Sequence, residues 1–238
     1  MIKTILFDLD GTLLPMDQDI FTKAYFKRLA AKLMPHGYES KKLIDGIWSG
    51  TAAMVKNDGK CTNEEAFWKH FSGIFGEKSL NDKPIFEDYY KVEFQEVAKD
   101  CGYNPKSRVA VDELKKQGYR LALATNPIFP AVATESRIRW AGFQPEEFEL
   151  YTTYENTSYC KPNPEYYKDI IRRLECEPEE CLMVGNDVEE DMVAQTVGME
   201  VFLLTDCLIN KKEKDINAFR HGGFDELCQC LKRENSFK

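Results

Sequence analysis

Met1-Ile2-Lys3-Thr4-Ile5-Leu6-Phe7-Asp8-Leu9-Asp10-Gly11-Thr12 is the stretch that decides the fold. A largely apolar segment, 2–7, stops abruptly at one carboxylate, and a second follows two positions later, before a glycine. Short apolar runs that end in polar residues are the pattern of buried strands. The pattern recurs at 121–124, which ends at Thr125, at 182–184, which ends at Gly185-Asn186-Asp187, and at 201–204, which ends at Thr205-Asp206. A weaker run, 148–151, ends at Thr152. Helical spacing fills most of the gaps, over 106–117, 128–141, 164–175 and 188–197, with Gly118, Gly142 and Gly198 where helix C-caps belong. Strands alternating with helices predict an α/β fold with a Rossmann-like, doubly wound parallel sheet.

Residues 17–104 break this rhythm. They carry helical stripes instead of strands: Phe21, Tyr25, Leu29 and Leu33, then Leu43, Ile47, Thr51 and Met54. Phe67, Phe71, Ile74 and Phe75 make a third stripe, and Phe86, Tyr89, Tyr90, Phe94 and Val97 a fourth. Spacings of three and four place each set on one helix face. The expected organisation is therefore an α/β core built from 1–16 and 105–238, with an all-helical cap inserted over 17–104. The aromatic stripes are expected to pack against one another rather than to line a ligand site.

Composition narrows the function. The 238 residues are 43% hydrophobic and 30% charged, the balance of an ordinary globular chain. A net charge of −8 argues against a nucleic-acid backbone as partner, which needs a basic surface. It leaves room for small phosphate esters, because a local cation can reverse the field of one cleft. The early carboxylates rule out a signal peptide, and no segment reaches the roughly 20 apolar residues of a membrane helix. A cytoplasmic location with no membrane partner is expected. The eight cysteines include no CxxC pair, and the three histidines are scattered, so reduced thiols are expected rather than a soft-metal site.

Four groups carry chemistry. Asp8 and Asp10 stand two apart, so on an extended chain their side chains can converge, and they repel unless a cation or proton lies between them. Thr125 and Asn126 end a strand in neutral donors suited to phosphate oxygens. Pro162 holds Lys161 out of helix, while Asn163 and Pro164 are a cap and first residue for the helix that follows. Gly185-Asn186-Asp187 with Asp191 gathers hard oxygen ligands of the kind Mg²⁺ prefers. Each group follows a predicted strand, and strand C-termini share one edge in such a sheet, so all four can meet in one crevice. There is no Ser-His-Asp arrangement and no GxxxxGK[ST] loop, which leaves acyl transfer and nucleotide-driven work unsupported.

Taken in order, DxDGT, a strand ending in Thr-Asn, Lys-Pro, and Gly-Asn-Asp with Asp191 beyond resemble the four motifs of the haloacid dehalogenase superfamily. Arg137-Ile138-Arg139-Trp140-Ala141-Gly142 is similar to a helix end of its capped members, and the helical insert lies where that family carries a cap. The resemblance implies a phosphatase that acts on a small phosphorylated metabolite through an aspartyl-phosphate. Asp8 would be the nucleophile and Asp10 the general acid and base. Thr125 and Asn126 would hold phosphate oxygens, and Lys161 would stabilise transition-state charge. Mg²⁺ would bridge Asp8, the Asp10 carbonyl and the fourth motif. Superfamily dehalogenases, which act on carbon, lack the second acid. A phosphosugar mutase of the same family and a degenerate binding protein are the alternatives. One position departs from the pattern: the family has Gly-Asp where this chain has Gly185-Asn186. Either Asn186 or Asp187 could fill the ligand place, and the charge of Asp187 favours Asp187.

Overall fold

The structure is a computed structural model that describes residues 1–232; residues 233–238, the end of the expected core segment, lie outside the described residues. Strands β1 (Thr4–Phe7), β2 (Arg120–Leu123), β3 (Leu150–Tyr151), β4 (Cys181–Gly185), β5 (Glu200–Leu204) and β6 (Arg220–Gly222) form one sheet in the order β3-β2-β1-β4-β5-β6. Every pairing is parallel. The order reverses at β1, whose two neighbours come from distant parts of the chain. That reversal opens a crevice beyond the strand C-termini, and Asp8 is the next residue after β1.

Side chains alternate between the two faces of the sheet. Ile5 and Phe7 join one apolar cluster with Leu121, Val184 and Phe202, while Leu6 joins another with Ala122, Met183 and Tyr166. Both faces are covered by helices, and this explains why the central strands are apolar throughout rather than alternating. Two expectations differ. The segment 188–197 is not an α-helix but turns followed by a 3-10 helix over Met192–Val197. The sheet also has a sixth strand, Arg220–Gly222, polar because it is an edge with one neighbour, followed by a helix over Phe224–Lys232.

The insert consists of α1 (Gln18–Leu33), α2 (Ser40–Val55), α3 (Asn63–Phe75), α4 (Lys78–Asn81) and α5 (Lys83–Lys91), with a 3-10 segment over Glu93–Asp100. Helix α3 begins with a capping box: Thr62 accepts from the Glu65 N–H while Glu65 accepts from the Thr62 N–H. The fourth expected stripe is split near Val92, where the backbone leaves helical geometry. The insert leaves and rejoins the core at one crossing, where Met16 bridges Cys101 and the Gly102 N–H donates to the Pro15 carbonyl at 2.7 Å.

A second attachment lies at the start of α3. Asn63 is completely buried, and its Nδ2 donates to the carbonyls of Pro127 at 3.2 Å and Tyr159 at 3.3 Å, both on core loops. Its backbone N–H donates to the Thr157 carbonyl at 2.8 Å. Asn63→Ala leaves these buried carbonyls without that donor, and such losses cost about 1–3 kcal/mol. The expected result is a lower urea midpoint with an unchanged denaturant slope. A midpoint equal to wild type would show that the attachment contributes nothing.

The eight cysteines are all free, and no helix among the described residues is long and apolar enough to cross a membrane.

Candidate active site

The chain turns sharply after β1. The Asp8 N–H still donates to the Val184 carbonyl at 2.9 Å, as a strand residue would, but the Leu14 N–H returns to the Leu9 carbonyl at 2.9 Å. Gly11 makes the turn with φ +88, and a Cβ there would lie 2.4 Å from Asn186 Nδ2. Glycine is needed for the left-handed backbone and also for the close approach of the fourth motif.

Asp8 and Asp10 therefore do not share one partner. Lys161 Nζ donates to Asp8 Oδ1 at 2.9 Å and to Asp191 Oδ1 at 2.6 Å, and all three groups are buried. The Thr12 hydroxyl stands 3.2 Å from Asp8 Oδ2 and 3.0 Å from Asn186 Oδ1. Asp10 Oδ2 is held by the guanidinium of Arg137, a residue with no solvent exposure whose charge also sits 4.4 Å from the centre of the Phe129 ring. Asp10 Oδ1 is buried with no hydrogen-bond partner.

Burial dominates the electrostatics. It raises Asp8 above the ordinary aspartate range, against the pull of Lys161 and with added repulsion from Asp10. It also raises Asp10, against Arg137 and Lys161. Burial pulls Lys161 down, but Asp191 and Asp8 outweigh it and hold the ammonium charged. Asp191 is pushed to about 6 by burial, with Lys161 opposing. Burial thus raises all three carboxyls, and the cations beside them, Lys161 and Arg137, oppose it.

The remaining expected residues lie around the same opening. The Thr125 carbonyl accepts from Thr152 Oγ1 at 2.6 Å and from the Tyr166 hydroxyl at 2.8 Å, which fixes the end of β2. Asn126 Nδ2 donates to Glu190 at 3.0 Å, while its Oδ1 is buried and unpartnered. Burial pushes Glu190 up to about 7. In the fourth motif it is Asn186 that faces Asp8 through Thr12. Asp187 instead turns to cap the following turns, with Oδ1 accepting from the Glu189 N–H at 2.7 Å and the Glu190 N–H at 3.0 Å. Asp191 accepts from Lys161 rather than standing free for a cation. The spacing argument favoured Asp187 by its charge, but the turn after β4 gives that charge to backbone donors.

Thr12, Arg137 and Glu190 were not singled out for roles by sequence reasoning. Arg137 had a signal: it is spaced by four from Ala133 and Ala141, both completely buried, so it sits on a core-facing stripe and requires a buried partner. Thr12 closes the DxDGT motif, and Glu190 had no signal beyond lying next to Asp191.

The opening leads into a cavity of about 460 Å³, walled by the core edge on one side and the insert on the other. Asp8, Asp10, Thr125, Asn126, Asn186 and Asp187 line its floor. Lys161, fully buried beneath Asp8, is not among the lining residues.

Among the described residues no three His, Cys, Asp or Glu side chains are gathered as a metal cage. The donors that do fit a hard cation are of mixed type, with the Asp8 carboxylate and the Asn186 amide oxygen brought together on one hydroxyl. Mg²⁺ is commonly held in this sparse way, by one or two carboxylates and the phosphate of a substrate.

The family model described as "haloacid dehalogenase-like hydrolase" matches residues 2–195. Pyrophosphatase PpaX of Bacillus cereus is 24% identical over 199 residues, covering 83% of this chain and 80% of its own. A 2-haloacid dehalogenase from Pseudomonas syringae superposes with a TM-score of 0.65 at 18% identity, over 98% of this chain and 100% of that one. YfnB of Bacillus subtilis, a HAD-hydrolase whose magnesium-bound crystal structure is described as revealing interdomain movement, superposes with a TM-score of 0.58 at 20% identity. That match covers 97% of this chain and 99% of that one.

Proposed function

We propose that this chain, which belongs to the haloacid dehalogenase-like hydrolase family, is a Mg²⁺-dependent phosphohydrolase acting on a small phosphate monoester. The observation that carries the reading is the division of labour between two neighbouring carboxyls. Asp8 is bound to Lys161 by one oxygen, whereas Asp10, at the cavity floor, is bound by Arg137 through one oxygen and keeps the other buried and unpartnered. A nucleophile beside an independent proton carrier is the pair that two-step hydrolysis requires.

In the first step Asp8 bonds to phosphorus and the bond to the leaving oxygen breaks. That oxygen takes a proton from Asp10. In the second step water attacks the same phosphorus, Asp10 takes its proton, and the Asp8–phosphorus link breaks to release phosphate. Lys161 supports the charge on Asp8 throughout, and Asn126 offers its amide to phosphate oxygens. Asp8 and Asn186, with the Asp10 carbonyl, would hold Mg²⁺, which would neutralise phosphate charge and orient the ester. Asp10 supports phosphorus over carbon as the target, since by the superfamily's pattern its dehalogenases lack the second acid. The relative named as a pyrophosphatase supports a phosphate substrate. The YfnB structure with magnesium supports the metal, and its interdomain movement supports an insert that opens for release.

Phosphate release from a panel of phosphate esters, measured before and after exhaustive chelation, tests this. Activity that disappears with chelator and returns with Mg²⁺ is expected, and full activity without divalent metal would sink the mechanism. Calorimetric Mg²⁺ titration then addresses the ligand. Asn186→Ala is expected to weaken binding more than Asp187→Ala, because only Asn186 faces Asp8 through Thr12. The reverse order would restore Asp187 as the ligand.

A further inference from the structure

We infer that the ester's leaving group carries a planar aromatic ring; this rests on the phosphohydrolase reading above and names its substrate class. The cavity above Asp8 is walled by Trp48, Phe67, Trp68 and Phe86 from the insert and by Phe129 and Tyr154 from the core. Aromatic faces and edges are the environment a flat ring prefers, by offset stacking and edge contacts. The rings are already arranged in this way among themselves, with Trp68 edge-on to Phe67 at 5.2 Å and to Phe86 at 5.3 Å between centroids.

What the walls withhold is as informative. Recognition of a sugar needs unpaired donors and acceptors for its hydroxyls, since buried polar groups left unmatched are costly. Around the rings, polar atoms of the wall are already engaged. Trp68 Nε1 donates to the Tyr154 hydroxyl at 3.4 Å, the Tyr25 and Tyr90 hydroxyls share a hydrogen bond of 2.9 Å, and the Thr51 hydroxyl donates to the Ile47 carbonyl at 2.9 Å. Lys83 is bound to Glu64 at 3.2 Å and lies 4.9 Å from the centre of the Trp68 ring. A sugar would have to break these pairs, whereas a ring would not.

Charge disfavours a second phosphate. Beyond the floor, Lys83 and Glu64 are paired with each other, which leaves Asp19 and Glu87 against Lys211, with Glu190 pushed up to about 7 by burial. A phosphate or pyrophosphate leaving group would meet net negative walls. The inference therefore departs from the activity for which the Bacillus cereus relative is named.

Two measurements test it. Initial rates are compared for benzyl and 2-naphthylmethyl phosphate (whose alkoxide leaving groups match those of a sugar), nucleoside monophosphates, glucose 6-phosphate and pyrophosphate. Ring-bearing esters are expected to have kcat/KM about 10- to 100-fold above the sugar phosphate, the scale of one stacked ring. Preference for arylmethyl esters over nucleoside monophosphates places the ring near phosphorus; the opposite order places it beyond a sugar. Both support the inference, and a sugar phosphate or pyrophosphate as best substrate overturns it. The second measurement needs no turnover: binding of phenylphosphonate and methylphosphonate, followed by tryptophan fluorescence with calorimetry as a check. Phenylphosphonate binding tighter by about tenfold or more supports the ring site even if no ester is hydrolysed, in which case the hydrolase reading alone fails. Equal binding overturns the ring site even if hydrolysis is fast. Trp48→Ala, at a residue 51% exposed and so outside the packed core that holds Trp68, is expected to reduce the phenyl-to-methyl ratio. An unchanged ratio removes Trp48 from the site.

Discussion

Asp10→Asn is expected to convert steady turnover into a burst followed by a stall. With an aryl phosphate the leaving group departs with little help, so phosphorylation of Asp8 survives. The second step still needs a base for water, and an amide cannot serve. General acid–base assistance is worth about 10²–10⁴-fold, and the stalled step should slow by that range. With an alkyl phosphate both steps slow, because the alkoxide also lacks its proton. Rapid mixing should show one equivalent of aryl alcohol released early, and intact mass should show phosphate retained on the protein. Asp8→Asn should show neither. The structure sharpens the expectation, since Arg137 holds Asp10 Oδ2 and only Oδ1 is free to exchange a proton. Asparagine keeps one donor and one acceptor in the same shape, so the fold should survive. Equal, steady hydrolysis by both variants would mean that water attacks phosphorus directly.

Lys161→Met is expected to damage stability and activity together, in a way that depends on pH. The lysine is the shared partner of Asp8 and Asp191, and all three are buried. Removing one member of a buried charge cluster typically costs about 3–5 kcal/mol, because the remaining charges face one another undischarged. Activity should fall by about 10²–10³-fold, the usual effect of deleting one preorganised donor. The sign of the pH effect follows from the carboxyls. Burial already raises Asp8 and Asp191 above 3.8, Asp191 to about 6, against the opposing pull of Lys161. Without the lysine both rise further. The folded variant then holds protons that its unfolded chain has released, so its stability is present at low pH and is lost as pH rises through the raised values. Urea midpoints should lie closer to wild type at about pH 5 than at about pH 8. A constant deficit at both pH values would show that the loss is packing rather than charge.

The sheet was legible in the sequence because its central strands are covered on both faces and so carry continuous apolar runs, as in Leu182-Met183-Val184. Arg220-His221-Gly222 was not, because an edge strand with one neighbour needs no apolar signature. The segment after Asp187 was misjudged for a local reason. Its acidic start suits a helix N-terminus, but Asp187 and Asp191 are drawn into turn and lysine contacts that interrupt the helix. The floor residues were legible because each follows a strand end, and the topology brings those ends together. The pairings among them were not. Nothing in Asp8-Leu9-Asp10 says that one carboxylate turns to Lys161 and the other to Arg137, since that depends on a backbone that leaves the strand at Asp8 and on a helix more than a hundred residues away. The aromatic stripes of the insert were expected only to pack. They do pack, and they also wall the cavity, because a helix layer laid over a sheet edge shows its inner face to both.

The position of β1 sets an order on the making of this protein. The strand that ends at Asp8 precedes the rest of its sheet in the chain, yet Thr4 pairs with Arg120 on one side and Cys181 on the other. At about 5–20 residues per second a ribosome needs on the order of ten to thirty seconds to supply the second of these partners. Through that interval an apolar strand waits with an open edge, the condition that invites association between nascent chains. The next segment to emerge is the helical insert, whose contacts are largely local and form early. Its crossing between Met16 and Cys101 brings the chain back beside β1 just before α6 (Pro105–Lys116) and β2 arrive. The insert thus shortens the loop that β1 must close, from more than a hundred residues to a folded helical unit with its ends already adjacent.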